Sequence, residues 1–162
     1  MLRTRSLQSV LLLASLFALL TATGASASNQ ASAKTAAVVI STKKVGKLGT
    51  VLVNSKGRTL YMFVPDKRKR VTCVSTCAVV WPPVKVAAGA KILAKGEAKQ
   101  KLLRSDRDPA GGNVVTYDGW PLYTYVSDSK PGMASGQALN LNGGLWYVLA
   151  PSGKVIKTTL PS

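Results

Sequence analysis

"GRTLYMFVPD" (Gly57–Asp66) and "GWPLYTYVSD" (Gly119–Asp128) are one ten-residue phrase written twice, sixty-two residues apart and aligned without a gap. Gly, Leu, Tyr, Val and Asp recur in register, and Phe63 faces Tyr125. A period of this size with room for two copies marks a duplicated supersecondary unit, not a solenoid. Each copy reads as a hairpin: a strand, a Gly-containing turn, then the aromatic strand. Alternation places Tyr61 and Phe63 on one side, with Leu60, Met62 and Val64 opposite. In the second copy Tyr123 and Tyr125 share a side against Leu122, Thr124 and Val126. Aromatics at i and i+2 pack well across strands. Asp66 and Asp128 stand where each strand should end, and each is expected to cap its own hairpin by accepting backbone N–H bonds in an Asx-type turn.

Outward from the repeat the texture stays β. Residues 37–64 alternate short Val-, Leu- and aromatic-rich runs with turn residues such as Asn54-Ser55-Lys56-Gly57. Ala, Lys and Leu between Val84 and Gly112 favour helix, but Gly89, Gly96 and Pro109-Ala110-Gly111-Gly112 interrupt them. That stretch reads as a connector with at most one short helical turn around Ala94 to Lys101. Strand texture returns in "NVVTYDGWPLYTYV" and "LWYVLAPSGKVIKTTL", the latter folded at Pro151-Ser152-Gly153. The expected fold is all-β: two related antiparallel units of about four strands each, forming one compact domain over 37–162. Unit one spans about 46–84, the connector 85–105, and unit two about 106–158.

The N-terminus has a separate meaning. Arg3 and Arg5 precede an apolar stretch of eleven, Val10 to Leu20, with Ser15 its one polar residue, and Ala25-Ser26-Ala27 offers a small-x-small cleavage pattern. This is the layout of a secretory signal peptide, 1–27, cleaved near Ala27. Eleven residues at about 1.5 Å each fall short of about 30 Å of hydrocarbon, so a transmembrane anchor is a poor fit. Residues 28–36 are small and polar, a flexible leader. The chain of 162 residues carries 22 Lys and Arg against 6 Asp and Glu. Without Arg3 and Arg5 twenty basic residues face six acids, a net charge near +14. Such a charge suits anionic partners, a cell-wall polymer or a membrane surface.

Tyr-x-[Phe/Tyr]-x-x-Asp occurs at Tyr61/Phe63/Asp66 and again at Tyr123/Tyr125/Asp128. "CVSTCAVVWPP" follows the first copy, and "KPGMASGQALNLNGGLWYVLAPSG" follows the second. Together these resemble a bacterial family of secreted repeats of unknown function, lipoproteins with a Yx(FWY)xxD motif, over roughly residues 46–154. The resemblance implies an exported envelope or secreted protein. Many relatives carry a lipobox cysteine; none lies near the cleavage point here, so a free or wall-associated form is expected. Members are sometimes tagged with alkane catabolism, and no residue of this chain argues for that chemistry.

The chemistry available is thin. With no histidine, His-dependent triads, His-metal sites and c-type haem attachment are excluded; serine, threonine and lysine remain as nucleophile and base, with no spacing that marks them out. A carboxylate pair could come from Asp66 and Asp128, at the about 5–9.5 Å a glycosidase needs. Two cysteines without histidine fall short of a four-ligand zinc site, and Cys-x-x-x-Cys is not the redox spacing. An even count in an exported chain points to a Cys73–Cys77 disulfide, with a soft metal held beside Met62 as the alternative. Lys67-Arg68-Lys69-Arg70 is the densest charge cluster. It reads either as a solvated loop or as a contact for phosphate on a membrane or wall polymer. No aromatic residue interleaves it, so nucleic acid is not expected. Trp81 and Trp146, with Trp120, are expected in the core, or else as an aromatic platform. No cofactor or metal is expected. The reading is a non-catalytic exported binding or structural module; its rival is an envelope hydrolase or a redox or metal-binding protein.

Overall fold

The computed structural model describes residues 36–68 and 70–159. The expected signal peptide and residues 28–35 of the leader lie outside the described residues, as does Lys69. The chain runs β1 (Val38–Lys44), β2 (Thr50–Asn54), β3 (Tyr61–Phe63), a five-residue helix α1 (Thr76–Val80), β4 (Lys85–Val86) and β5 (Ile92–Ala94). It continues through β6 (Leu103–Arg107), β7 (Asn113–Tyr117), β8 (Trp120–Pro121), β9 (Asn140–Leu141) and β10 (Gly144–Val148). Three small sheets result, ordered β2-β1-β5, β3-β10-β9 and β4-β7-β6, with β8 also on β7. The fold is all-β, with little helix, as the patterning implies.

The two repeats are related by an internal pseudo-twofold. β2 turns back so that Val53 opposes Thr59, and β7 turns back so that Thr116 opposes Pro121. At the centre the two motif tyrosines face each other: Tyr61 N donates to Tyr123 O (2.9 Å) and Tyr123 N to Tyr61 O (3.0 Å). That reciprocal exchange is the hydrogen-bonded pair of an antiparallel ladder. Each repeat then closes against the other one. Val115 of repeat two donates to Val84 O at the end of repeat one (2.8 Å), and Leu52 of repeat one donates to Leu149 O at the end of repeat two (3.1 Å).

Period-two alternation sorts the motif strand between two cores. Tyr61, Phe63 and Tyr123 enter an aromatic core with Trp81, Trp146, Val51 and Val53. Leu60, Met62 and Leu122 enter an aliphatic core with Ile40, Leu52, Val115 and Leu149. The strand is buried on both faces, which is why its residues are apolar in both phases.

Two local expectations are corrected, and one short helix is added. The connector contributes β5, which joins β1 in parallel with Val38 opposite Ile92, and its helical turn sits later, at Gln100–Leu102. Gly89 and Gly96 leave too few residues between them to nucleate a helix. The free edge of β1 offers hydrogen bonds instead. The loop after Cys73 holds α1 in spite of its β-branched residues, because Trp81 N closes a turn onto Cys77 O (2.8 Å). The second aromatic segment, Tyr123 to Tyr125, forms bridges, not a regular strand: its partner is Trp81-Pro82-Pro83, and proline has no N–H to give the ladder. The turn at Pro151-Ser152-Gly153 forms as read, with Ala150 N bonded to Lys154 O (2.9 Å).

Candidate functional site

The motif aspartates do not simply cap their own hairpins. Asp66 Oδ1 accepts from the backbone N–H (2.7 Å) and hydroxyl (2.6 Å) of Thr72 in its own loop. Its other oxygen accepts from the Tyr123 hydroxyl, in the opposite repeat, at 2.6 Å. Asp128 mirrors this: Oδ1 accepts from Ser135 N (2.9 Å) and Oδ2 from the Tyr61 hydroxyl (2.6 Å). Both carboxyls are buried. Burial holds the Asp66 carboxyl above its ordinary value, and the bonds from Thr72 and Tyr123 offset only part of that rise. Burial, then the bond to Asp128 and that residue's charge, push the Tyr61 hydroxyl far up. Tyr123 is raised in the same way by burial and then by Asp66.

Above these pairs lies a four-ring stack. Phe63 stacks on Trp146 (4.1 Å), Trp146 on Trp81 (3.9 Å, 3° between planes), and Trp81 on Tyr125 (4.2 Å). Tyr61 meets Trp81 edge-on at 5.4 Å, and Tyr123 meets Trp146 edge-on at 5.3 Å. The order reads the same from either end, so the pseudo-twofold passes between the two tryptophans. Trp81 and Trp146 are fully buried and offer no platform to a ligand; Trp120 is half-buried at the rim of the aliphatic core. The loops above the stack differ. In repeat one Cys73 and Cys77 form a disulfide. In repeat two Gln137 does the clamping: Nε2 donates to Ile156 O (2.7 Å) and Thr158 O (2.9 Å), and Oε1 accepts from Val148 N (2.9 Å).

Of the basic run, Lys67, Arg68 and Arg70 are exposed. Arg68 is not a free cation: its guanidinium pairs with Asp118 in the β7–β8 turn at 2.9 Å. Its stem lies over Gly119, where a Cβ would meet Arg68 Cβ at 3.4 Å. The equivalent glycine of repeat one, Gly57, is covered in the same crossed fashion by Pro131, 3.0 Å from where a Cβ would stand. Both glycines have positive φ, +73° and +82°, so turn geometry and close approach demand glycine together. Each motif's following loop therefore folds over the other repeat's turn.

Beside that contact, on the outer face of β6 and β7, lies a cleft of about 510 Å³ lined by Arg68, Lys101, Arg104, Asp106, Thr116 and Asp118. An adjoining cleft of about 410 Å³ shares Arg68 and Asp118 and adds Trp120 and Lys154. The sequence reading missed this groove. Strand register reveals what the sequence alignment does not: Arg104 opposes Thr116 where Ser41 opposes Val53. Among the described residues no group of three His, Cys, Asp or Glu side chains gathers as metal ligands.

The duplicated, crossed architecture agrees with a sequence profile described as a secreted repeat of unknown function, which matches residues 42–85 and 105–150. The chain belongs to that family. No match emerges among curated proteins or solved structures. The family's description as secreted supports an extracytoplasmic location for this secreted repeat. Among its described residues no helix is long and apolar enough to cross a membrane. Its two matched segments fall in the two halves of the pseudo-twofold, so in this chain each repeat is half of the crossed unit.

Proposed function

We propose that this secreted repeat is a non-catalytic binding module that holds to anionic polymers or lipid head groups through a cationic surface on a rigid aromatic core. The observation that carries this reading is where the few acids go. Asp66 and Asp128 are buried against tyrosines, and Asp108 and Asp118 are ion-paired with Lys85 and Arg68. These are the two ion pairs among the described residues, so most Lys and Arg side chains face solvent without a carboxylate partner. Such a field raises the local concentration of polyanions and speeds their association.

The rival reading, an envelope hydrolase or a redox or metal protein, finds less support. The motif aspartates are buried with both oxygens engaged, which ill suits a general acid facing substrate. The two sulfurs are bonded to each other. The test is retention on carboxylate- or phosphate-bearing wall polymer and on anionic liposomes, at salt where the Debye length is about 30 Å and again where it is about 3 Å. Retention at low salt, lost at high salt and weakened when Lys67, Arg68, Lys69 and Arg70 become alanine, is the expected result. No retention at low salt overturns the proposal.

A further inference from the structure

We propose that the groove of repeat two, running from Lys101 and Arg104 past the Arg68–Asp118 pair to Trp120 and Lys154, seats a segment of an anionic polysaccharide. This rests on the polyanion reading above and narrows it to one place and one ligand class.

The chain supplies its own control. The pseudo-twofold mate of the groove is a cleft of about 350 Å³ on β1 and β2, lined by Ser41, Lys43, Val53, Gly57 and Lys95. There Ser41 stands where repeat two has Arg104, and Pro131 covers the turn glycine where repeat two has Arg68. Repeat one builds the same strand pair with Ser41, so Arg104 is not needed for packing, and it covers its turn glycine with an uncharged proline, so the covering job does not call for the charge of Arg68. Repeat two alone carries guanidiniums on its cleft. Arg68 spends one N–H group on Asp118 and Arg104 one on Leu103 O, and the N–H groups each has left can bond the carboxylate or phosphate of a ligand.

The mixed lining favours a glycan over a bilayer. Asp118 sits in the middle of the groove and Asp106 at its side. A sheet of phosphate head groups would meet those carboxylates as like charges. A sugar chain carries hydroxyls between its anionic groups, and a carboxylate accepts hydrogen bonds from them. Trp120 adds the apolar surface that a sugar ring's C–H face can cover. Each of the two adjoining clefts falls within the about 300–1,000 Å³ of ordinary ligand sites.

The experiment measures affinity for polygalacturonate, a carboxylate glycan, and for a phosphate-bearing dextran, with neutral dextran and anionic phospholipid vesicles alongside. Two charge-matched variants are compared, Lys101→Ala/Arg104→Ala in the groove and Lys43→Ala/Lys95→Ala in its mate. The groove variant should lose about tenfold or more in affinity for whichever anionic glycan binds, and the mate variant about twofold or less. Ligand should also change tryptophan emission in the unaltered protein, and Trp120→Phe should abolish that change, because Trp81 and Trp146 are sealed in the core. Equal losses in both variants overturn the groove while leaving the surface-attraction reading intact. Absence of binding to every anionic probe at low salt ends both. Binding to vesicles and to neither anionic glycan overturns the choice of polysaccharide.

Discussion

The hydroxyl of Tyr61 donates to Asp128 at 2.6 Å, and the two residues belong to different copies of the same motif. Its mirror, Tyr123 to Asp66, has the same length. A motif copied twice in tandem thus completes its polar pairing only by exchange. Were one repeat to fold alone, its tyrosine hydroxyl and the Oδ2 of its aspartate would lose their partners, while Oδ1 kept its local bonds. Leaving a buried polar group short of a partner costs about 1–3 kcal/mol. The stack adds to the same dependence, because Trp81 of one half and Trp146 of the other lie face to face. Two repeats are therefore the minimum folding unit.

The first prediction separates crossed from local pairing. Tyr61→Phe and Asp128→Asn should each destabilise by about 1–3 kcal/mol, the cost of leaving a buried polar group short of a partner. In a double-mutant cycle by urea unfolding, Tyr61 with Asp128 should show a coupling of about 1 kcal/mol or more. Tyr61 with Asp66, its own motif's aspartate, should show far less. The reverse ranking would mean that each repeat satisfies itself.

How much of this was legible is best judged on the motif itself. Period-two alternation placed Tyr61 and Phe63 together and Leu60 and Met62 opposite, and the two cores divide them in that way. The even count of cysteines in an exported chain led to the disulfide that the structure contains. What alternation cannot carry is partnership between copies. Tyr61 and Asp66 recur as a set, and nothing in their spacing says that the hydroxyl of one set reaches the carboxylate of the other. β5 was hidden for a related reason: helix-favouring residues took an extended form because β1 had an unpaired edge. The groove was hidden because Arg104, Trp120 and Lys154 come together only through the crossing of the loops.

Gly136 should tolerate no side chain. A Cβ there would stand 2.6 Å from Trp81 Cη2 and 3.0 Å from Tyr61 Cε1, and both rings are fixed by the stack. Its φ is not in the left-handed region, so the penalty is steric alone. Gly136→Ala is expected to cost about 1–3 kcal/mol as overpacking. Near-ultraviolet circular dichroism should lose tryptophan signal as the stack shifts. An unchanged spectrum and stability would mean that the rings yield freely.

The Cys73–Cys77 disulfide closes a short ring, so its contribution should be modest. The chain-entropy relation gives about 2 kcal/mol for five residues. Cys73→Ser/Cys77→Ser should lower the unfolding free energy measured in urea by that amount and still leave a folded protein, because Asp66 and Trp81 anchor the loop on either side. Thiol titration of the unreduced, unfolded protein should find no free thiol. Two free thiols would remove the clip and reopen soft-metal chemistry at the sulfurs, though without the Met62 ligand expected from sequence, which packs in the aliphatic core while Cys73 lies in the aromatic one.

Alkaline pH should unlock the crossed pairs. Tyr61 and Tyr123 have hydroxyls raised above the ordinary tyrosine value of 10.0 by burial and by their carboxylate partners. Below about pH 10 both are protonated in folded and unfolded chains alike, and their contribution to stability is fully present. Above it the unfolded chain loses protons that the folded chain keeps, so stability falls as pH climbs towards the folded values. The loss should reach about 1.4 kcal/mol per tyrosine by one pH unit above 10. Lysines lose their charge over the same range and relieve repulsion, but they do so equally in a Tyr61→Phe/Tyr123→Phe variant. Denaturant unfolding from pH 8 to 11 should therefore show the native sequence losing stability faster than the variant, the gap between them closing as pH rises. Parallel curves would mean that the two hydroxyls are not held protonated by the fold.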